Sequence, residues 1–404
     1  MGDQKLMKSQ LHASRQSCDI SPMSATKFVV LIGVVSLFSD FTYEGARSIT
    51  GPFLAMLGAS ATVVGVVAGF GELIGYALRL ASGYFADKTR QYWTIVFLGY
   101  GMNLLAVPLL ALAGHWELAA VLMIAERMGK AVRTPARDVM LSCASDRIGR
   151  GWGFGLHEAL DQIGAILGPL VVAAVFHFRG DYQSGFGLLL IPALIALSVL
   201  FTAYKLYPNP QDLEPASVKL QSNGFPKTYW FYVIAIGCVA AGFADFPLIA
   251  YHFKKVAAVP DYWIPIFYAV AMGVDALTAL LLGRLFDRLG FSVMVVAILL
   301  SSLFAPLVFM GGFYWALAGM ALWGVGMGAQ ESVMRAAIAG MVPRNRLGFA
   351  FGVFNTGYGL FWFLGSALMG ILYDFSVSSL IVFSMASQLI SVPILLTAKK
   401  EFRH

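Results

Sequence analysis

Long apolar stretches constrain this sequence more than any other feature. Of its 404 residues, 58% are hydrophobic and 12% are charged, whereas about a quarter of the residues of an ordinary globular protein are charged. A helix of about 20 apolar residues crosses the ~30 Å hydrocarbon layer of a bilayer. Stretches of this length predict twelve membrane spans, at residues 27–50, 60–86, 92–113, 117–141, 152–176, 184–204, 228–251, 262–286, 292–311, 314–340, 348–372 and 376–397. We therefore expect an all-α membrane protein embedded in a lipid bilayer.

The longest polar interruption divides these spans into two sets of six. Residues 205–227 contain Pro, Asn, Gly and charged residues, which predicts a linker. The N-terminal residues are polar and have no apolar core that ends in a cleavage site, so we do not interpret them as a signal peptide. The predicted organisation is an N-terminal tail (1–26), a six-helix bundle (27–204), the linker (205–227), a second six-helix bundle (228–397) and a C-terminal tail (398–404).

Basic residues predict the orientation of the chain, because short cytoplasmic loops are enriched in Lys and Arg. With the N-terminus inside, the cytoplasmic side would hold Lys88, Arg90, Arg147, Arg150, Lys205, Lys219, Lys227, Arg284, Arg288, Arg344, Arg346, Lys399, Lys400 and Arg403. The other side would hold Arg47, Arg179, Lys254 and Lys255. We expect both termini to be cytoplasmic, in the inner membrane of a bacterium. The net charge of +6 then reflects topology and not a nucleic-acid partner.

The two sets of spans repeat several motifs. LFSDF (37–41) corresponds to GFADF (242–246), so that Asp40 is equivalent to Asp245, and GYFAD (83–87) corresponds to GRLFD (283–287). Two repeated bundles related by an axis along the membrane normal, with a substrate site between them, are typical of transporters. The repeat predicts two six-helix halves related by a pseudo-twofold axis.

Two loops resemble the loop signature of the major facilitator superfamily. Gly83-x-x-x-Asp87-Lys88 follows the second predicted span, and Gly283-x-x-x-Asp287-Arg288 follows the eighth. The resemblance extends over residues 27–397 and implies a monomeric transporter in which these loops stabilise the outward-facing state. We expect the six named residues to form a cytoplasmic gate together with Arg137, since charges at the membrane interface lie where gates close.

A further motif occurs in the fifth span. Gly164-x-x-x-Gly168-Pro169 resembles the glycine–proline element of proton-driven exporters in this superfamily, which favours antiport. The alternative is a packing role, because small residues spaced four apart pack membrane helices in many proteins.

Several ionisable residues lie near the middle of predicted spans, where each costs about 2.5–3.5 kcal/mol unless it faces a partner or a water-filled cavity. Our candidates for proton coupling in such a cavity are Asp40, Glu44, Glu72, Asp245 and Asp275. Asp40 and Glu44 lie one helical turn apart on one face. Because like charges repel, one of them should hold a proton near neutral pH, as a reversible proton carrier requires. Both halves would place an acid in the same cavity.

A second group provides candidates for substrate binding: Arg47, Glu126, Arg127, Lys130, His157, Glu158, Asp161, Glu331, Tyr358 and Trp362. Arg127 and Lys130 are suited to an anionic part of a substrate, or they neutralise Glu126. Aromatic residues are suited to the apolar walls of a pocket. The alternative for the charged members is a set of salt bridges that specify helix packing.

The stretch HEALD (157–161) differs from the zinc-protease motif H-E-x-x-H by Asp161 in place of the second histidine. It raises the alternative of an intramembrane metal-dependent hydrolase. A polar patch that relays a proton or packs helices is the other interpretation.

The sequence contains no Walker glycine–lysine loop, so we expect an ion gradient to supply the energy. We predict a secondary active transporter that works by alternating access and exports a small organic compound by proton antiport. Proton-coupled symport or facilitated uptake of a small metabolite is the alternative. A channel is disfavoured because charges from several unlike spans do not form rings around a pore. We expect no metal, no cofactor and no enzymatic activity.

Overall fold

In the computed structural model of the chain, residues 22–208, 225–342 and 347–402 are described. Their helices form twelve consecutive segments. The first six are α1 (Pro22–Met56), α2 (Ala61–Thr89), α3 (Tyr92–Leu109, extended by the 3₁₀ turn Leu110–Leu112), α4 (Trp116–Ile148), α5 (Arg150–Arg179) and α6 (Tyr182–Leu188 and Leu190–Leu206). The last six are α7 (Lys227–Gly242 and Phe246–Lys255), α8 (Trp263–Leu289), α9 (Phe291–Ser301 and Phe304–Met310), α10 (Phe313–Gly328, the π turn Ala329–Val333 and Met334–Met341), α11 (Leu347–Phe375) and α12 (Val377–Phe402).

Ten of these segments are long and apolar enough to cross a membrane. The other two are α4, which carries many charged residues, and α10, which a π turn divides. The described residues contain no strand, and each predicted span coincides with one helical segment, so the predicted all-α membrane fold is confirmed. The predicted bounds are too short at several ends: α4 extends to Ile148, beyond the predicted end at 141, because polar residues can continue a helix outside the hydrocarbon layer.

The predicted tails and linker lie largely outside the described residues, which omit 1–21, 209–224 and 403–404. The division into domains therefore stays a prediction. We call α1–α6 the N-terminal half and α7–α12 the C-terminal half. The terminal side is the end of the bundle at which α1 begins, near Pro22, and the distal side is the end at which α1 stops, near Met56.

Helix α7 is interrupted where its equivalent α1 is continuous. The helix stops at Gly242, residues 243–245 are non-helical, and it resumes at Phe246 with Pro247 as its second residue. Proline lacks a backbone N–H and is tolerated in the first turn of a helix but not in its interior. Asp245 consequently occupies the N-cap position of the second piece, and its side chain is free to bind elsewhere because it makes no capping hydrogen bond.

Close backbone contacts hold α1 against α5. A Cβ atom on Gly164 would lie 2.1 Å from the carbonyl oxygen of Leu37, and one on Gly168 would lie 2.2 Å from that of Phe41. Any side chain at these positions would push the helices apart. The glycine pair of the fifth span therefore serves as a packing surface in this fold.

The two halves pack together most closely on the distal side. A Cβ on Gly51 of α1 would lie 1.9 Å from the carbonyl oxygen of Pro247 in α7. Asp374, near the end of α11, accepts hydrogen bonds from the backbone N–H groups of Ala61 and Thr62 at 3.2 and 2.8 Å. It thereby satisfies two of the unpaired N–H groups at the start of α2.

The buried apolar core has two parts. The larger cluster combines the C-terminal half with distal residues of the N-terminal half, for example Phe53, Val64 and Phe186. The smaller cluster lies on the terminal side and consists of residues from the N-terminal half, such as Phe28, Tyr100 and Met140. The halves thus share a core at the distal side, whereas the N-terminal half has its own core at the terminal side.

Candidate functional site

A buried ion pair joins the two halves at the break in α7. Arg47 of α1 donates through Nη2 to Asp245 Oδ1 at 2.6 Å, and the same atom lies 3.3 Å from Glu72 Oε1 of α2. Trp362 of α11 donates its Nε1–H to Asp245 Oδ2 at 3.0 Å. Asp245 is only 1% exposed, so both carboxylate oxygens are satisfied inside the protein. We call the Arg47–Asp245 contact the inter-half bridge.

A second contact between the halves lies one turn earlier on α1. The Tyr268 hydroxyl of α8 donates to Glu44 Oε2, and both side chains are buried. A hydrogen bond to a charged acceptor is stronger than a neutral one. Glu44 therefore helps to hold the two halves together, because its carboxylate accepts a hydrogen bond from the C-terminal half.

A pocket lies beside the inter-half bridge. Its charged lining residues are Arg47, Glu126, Arg127 and Asp245, and its apolar ones include Val67, Val107, Leu110 and Met123. Arg127 Nη1 lies 3.1 Å from Glu72, and Arg127 Nε lies 3.4 Å from Glu126. Asn103 of α3, which the sequence did not single out, donates to Glu126 Oε1 at 2.7 Å. These pairs compensate most of the charge in the pocket.

Asp40 has a different set of partners from Asp245. The Tyr43 hydroxyl donates to Asp40 Oδ2 at 2.9 Å, and Asp40 is 4% exposed. The carboxyl group of Asp161, on α5, lies beside the Asp40 carboxyl group and interacts with it electrostatically. An ionised carboxylate only accepts hydrogen bonds, so two carboxyl groups can bond to each other only when one holds a proton. We call Asp40 and Asp161 the carboxyl pair.

Two basic side chains of α4 surround the carboxyl pair. Lys130 donates to the Tyr43 hydroxyl, and its Nζ lies 3.8 Å from the centre of the Tyr43 ring. Arg133 is fully buried, with Nη2 3.9 Å from Asp40 Oδ1 and its Cζ 4.2 Å from the centre of the Tyr100 ring. Lys130 thus lies beside the carboxyl pair and reaches Asp40 through Tyr43.

The HEALD residues do not form a metal site. His157 Nε2 hydrogen-bonds to Ser36 Oγ of α1 at 2.8 Å, and Asp161 belongs to the carboxyl pair. Among the residues that the structure describes, no three His, Cys, Asp or Glu side chains are placed to hold a metal ion. Arg137, a predicted gate residue, donates to Ser36 at 3.2 Å and pairs with Asp138 at 2.8 Å.

A further group of acids lies between α5, α8 and α10. Asp275 of α8 is buried, whereas Glu158 of α5 and Glu331 of the α10 π turn are exposed. All three interact electrostatically, and Gln162 of α5 lies beside Glu158 and Asp275. We call Glu158, Asp275 and Glu331, with Gln162, the acidic cluster.

Tyr358 and Trp362 lie on one face of α11. The Tyr358 hydroxyl donates to Gln330 Oε1 of the α10 π turn at 2.5 Å. Its ring packs edge-on against Tyr76 of α2 at 5.4 Å, and Trp362 packs against it at 5.5 Å. These aromatic side chains continue the contact between the halves from Asp245 toward the terminal side.

The residues of the two signature loops lie apart from these contacts. Asp87, Lys88, Asp287 and Arg288 are exposed. A Cβ on Gly83 would meet only Pro135, at an ordinary 3.6 Å, and one on Gly283 would meet no atom within 4 Å. These two glycines make no close helix contact in this conformation. Their role as a gate stays a prediction.

The comparisons with known proteins identify the family. The family model described as Major Facilitator Superfamily matches residues 36–366 and 263–402. The chain belongs to the major facilitator superfamily. An uncharacterized protein of Mycobacterium tuberculosis is 41% identical over 377 residues, which cover 92% of each chain. An uncharacterized MFS-type transporter of Methanocaldococcus jannaschii is 29% identical over 212 residues, or 52% of each chain.

Solved structures of transporters share the fold. A point mutant of the peptide transporter POT superposes with a TM-score of 0.73 at 14% identity, covering 93% of this chain and 95% of that one. The nucleoside transporter NupG gives a TM-score of 0.70 at 13% identity, with 93% and 99% covered. A bacterial homologue of the iron transporter ferroportin, in an inward-facing state, gives 0.65 at 14% identity, with 92% and 98% covered.

Membership in this superfamily makes the protein a multi-pass membrane transporter of a small substrate, in agreement with the sequence prediction. It also decides against the intramembrane hydrolase that the HEALD stretch had raised as an alternative.

Proposed function

We propose that this superfamily member is a proton-coupled exporter, in which the outward movement of a small organic compound is exchanged for the inward movement of a proton. In this proposal the protein is a monomer in the inner membrane of a bacterium, with the terminal side facing the cytoplasm. The two halves rock about the site between them and expose it to each side in turn.

The carboxyl pair is the observation that carries the proposal. Asp40 and Asp161 come from different helices and are held together by the glycine contacts of α1 with α5. Asp40 is buried and Asp161 is partly buried, and neighbouring carboxyl groups repel each other strongly when both are ionised, so in this proposal they share one proton. Lys130 and Arg133 lie close enough to compensate the second negative charge when that proton leaves. The pair is therefore a site that can be loaded and unloaded reversibly.

Helix α1 connects this proton site to the contacts between the halves. Asp40, Glu44 and Arg47 occupy successive turns on neighbouring faces of the same uninterrupted helix. Tyr43 binds the carboxyl pair, while Glu44 and Arg47 bind the C-terminal half. A shift of α1 when the pair loses its proton would act on both contacts, which links protonation to opening of the distal side.

The direction of transport is supported by the glycine–proline element of α5. Gly164, Gly168 and Pro169 resemble the element of proton-driven exporters, and in this chain the two glycines also set the distance between Asp40 and Asp161. For a neutral substrate, a transmembrane potential supplies about 2.3 kcal/mol per proton per 100 mV, whereas exchange of one proton for a singly charged cation moves no net charge and is driven by the pH gradient.

The experiment is a ligand screen on purified protein. Thermal stabilisation by a panel of metabolites, siderophores and drugs is measured at acidic and alkaline pH for the wild type, Asp40→Asn and Asp161→Asn. For antiport, we expect ligands to stabilise more at alkaline pH, when the pair has lost its proton, and both variants to lose this pH dependence. Stronger stabilisation at acidic pH would contradict antiport and indicate symport.

A further inference from the structure

Two buried oxygen acceptors between the halves are not used by the carboxyl pair or the inter-half bridge. Asp275 of α8 is 2% exposed, and its Oδ1 has no hydrogen-bond partner among the described residues. The Oε1 of Gln162, on α5, is likewise buried without a partner there. A buried acceptor left without a donor costs about 1–3 kcal/mol. Such atoms therefore indicate a place where a donor from outside the protein binds.

The surroundings of Asp275 and Gln162 are acidic. Glu331, Glu158 and Glu44 all interact electrostatically with Asp275, and all three are acids. Glu158 and Glu331 are exposed. Because an ionised carboxylate that faces lipid is costly, we expect these two side chains to face a water-filled space between the halves. Asp275 is the buried member of the cluster.

The backbone of α10 is irregular next to this cluster. Glu331 lies in the π turn Ala329–Val333, and a Cβ on Gly328 would lie 2.7 Å from the carbonyl oxygen of Asp275. Single π turns inside α-helices are found frequently at functional sites. Here the turn places an acid of the C-terminal half opposite Glu158 of the N-terminal half, so that both halves contribute to one cluster.

The chemistry of the cluster favours an organic cation over a metal ion. Three carboxyl groups and an amide oxygen favour a positively charged donor over a neutral one. The acids of the described residues are not placed closely enough to hold a metal ion. An ammonium or guanidinium group is larger and carries several N–H donors, so it can reach separate acceptors on α5, α8 and α10 at once.

We propose that the acidic cluster binds the ammonium or guanidinium group of the transported compound, so that the substrate class is an organic cation with two or more N–H donors. This inference rests on the proposed function and specifies its substrate. The orphan oxygens of Asp275 and Gln162 accept from the cation at the buried end of the space, and Glu158 and Glu331 compensate its charge at the entrance.

The same arrangement couples the cation to the proton without a shared binding site. Asp161 of the carboxyl pair follows Glu158 by three residues on α5 and interacts with it electrostatically. His157, Arg137 and Lys130 also interact electrostatically with Asp161, and Asp40 lies beside it. When the pair loses its proton, one negative charge is added beside the cluster, and cation binding becomes stronger. When a proton returns, the cation is released.

The test uses purified full-length protein and matched ligands. The probes are phenethylamine, tyramine, agmatine and spermidine. Phenethylamine and tyramine are compared with their N-acetyl analogues, which are neutral, and with their N,N,N-trimethyl analogues, which have no N–H donor. NaCl is compared with KCl to detect binding of Na⁺. Affinity is measured by thermal shift and by isothermal titration calorimetry. The proteins are the wild type, Asp275→Asn, Glu331→Gln and the control Glu117→Gln, which removes an exposed acid at the start of α4.

We expect phenethylamine or tyramine to bind, its acetyl analogue not to bind, and its trimethyl analogue to bind about tenfold more weakly or worse, a difference of ~1.4 kcal/mol. Asp275→Asn and Glu331→Gln should weaken binding at least as much, and Glu117→Gln should not change it. If Asp275→Asn does not fold, Glu331→Gln decides. Binding of no amine, equal binding of the acetyl analogue, a specific shift with Na⁺, or unchanged binding in both cluster variants would overturn the inference.

The variants separate this inference from the proposed function. If Asp275→Asn abolishes amine binding while Asp40→Asn leaves the pH dependence of binding intact, the cation site is correct and the carboxyl pair is not the proton site. If Asp40→Asn removes the pH dependence of another bound ligand while amines do not bind, proton coupling is correct and the substrate class is wrong.

Discussion

The repeated aspartates Asp40 and Asp245 have equivalent positions in the sequence and unlike surroundings in the structure. Asp40 lies in the continuous helix α1 and accepts a hydrogen bond from Tyr43. Asp245 lies at the break of α7 and bonds to Arg47 and Trp362. Asp40 lies beside a second acid, with Arg133 at 3.9 Å, whereas Asp245 forms a short ion pair with Arg47 at 2.6 Å. We propose that the two copies therefore have separate roles, one in proton binding and one in holding the halves together.

The largest expected difference between the two aspartates is in proton-driven transport. In proteoliposomes, Asp40→Asn should abolish uptake driven by a pH gradient, because no ionisable pair remains, while substrate exchange without a gradient continues. Asp245→Asn should retain gradient-driven uptake at a reduced rate. Equal loss of gradient-driven uptake in both variants would contradict the division of roles.

The next effect concerns the inter-half bridge. Arg47→Met leaves Asp245 buried next to no cation, and removing one partner of a buried ion pair typically costs about 3–5 kcal/mol. We expect a decrease in unfolding free energy of this size, measured by denaturant unfolding in detergent. The double variant Arg47→Met/Asp245→Asn should recover much of it, because no uncompensated charge remains. Additive losses would show that the two side chains are not coupled.

A smaller effect is expected from the glycine contacts. Gly168→Ala places a Cβ where the carbonyl oxygen of Phe41 lies 2.2 Å away, and such overpacking costs about 1–3 kcal/mol. It should also separate the carboxyl pair and shift the pH dependence of transport. The control is Gly155→Ala on the same helix, where the added atom meets nothing within 4 Å. Identical pH profiles for Gly168→Ala and wild type would show that this contact does not set the carboxyl distance.

The smallest effects distinguish two tyrosines. Tyr43→Phe removes the hydrogen-bond donor to Asp40, and Tyr268→Phe removes the hydrogen-bond donor to Glu44. A hydrogen bond to a charged acceptor contributes about 1.5–3 kcal/mol to stability. Tyr43→Phe should change the pH profile of transport and leave distal closure unchanged. Tyr268→Phe should increase the reactivity of a cysteine introduced at Thr50 and leave the pH profile unchanged. If Tyr268→Phe changed the pH profile and Tyr43→Phe changed the reactivity of the introduced cysteine, the roles of the two tyrosines would be reversed.

The sequence was sufficient to predict the fold. Apolar stretches of bilayer length determine the number of helices, because unpaired backbone groups are not tolerated in lipid. The break in α7 was not predicted, although Pro247 was a visible signal for it. The π turn of α10 has no comparable signal, since it depends on how α8 and α10 pack.

The sequence predicted which charged residues form the candidate site but not which of them pair with each other. Asp40 was paired in the sequence with Glu44, its neighbour one turn away, whereas its carboxyl partner is Asp161 of α5. That partner depends on helix contacts at Gly164 and Gly168, which the sequence suggested as a packing motif without naming the opposite helix. Asn103 was identifiable as a polar residue in an apolar span, but Tyr268 gave no signal because aromatic residues are common in membrane helices.

The shared proton of the carboxyl pair is the central claim, and infrared spectroscopy tests it most directly. The C=O stretch of a protonated carboxylic acid is measured on protein in lipid at neutral pH, as difference spectra between wild type and variants. We predict that one protonated band disappears in Asp40→Asn, disappears equally in Asp161→Asn, and persists in Asp245→Asn. A band that persists in the first two variants, or that is lost in Asp245→Asn, would contradict the account.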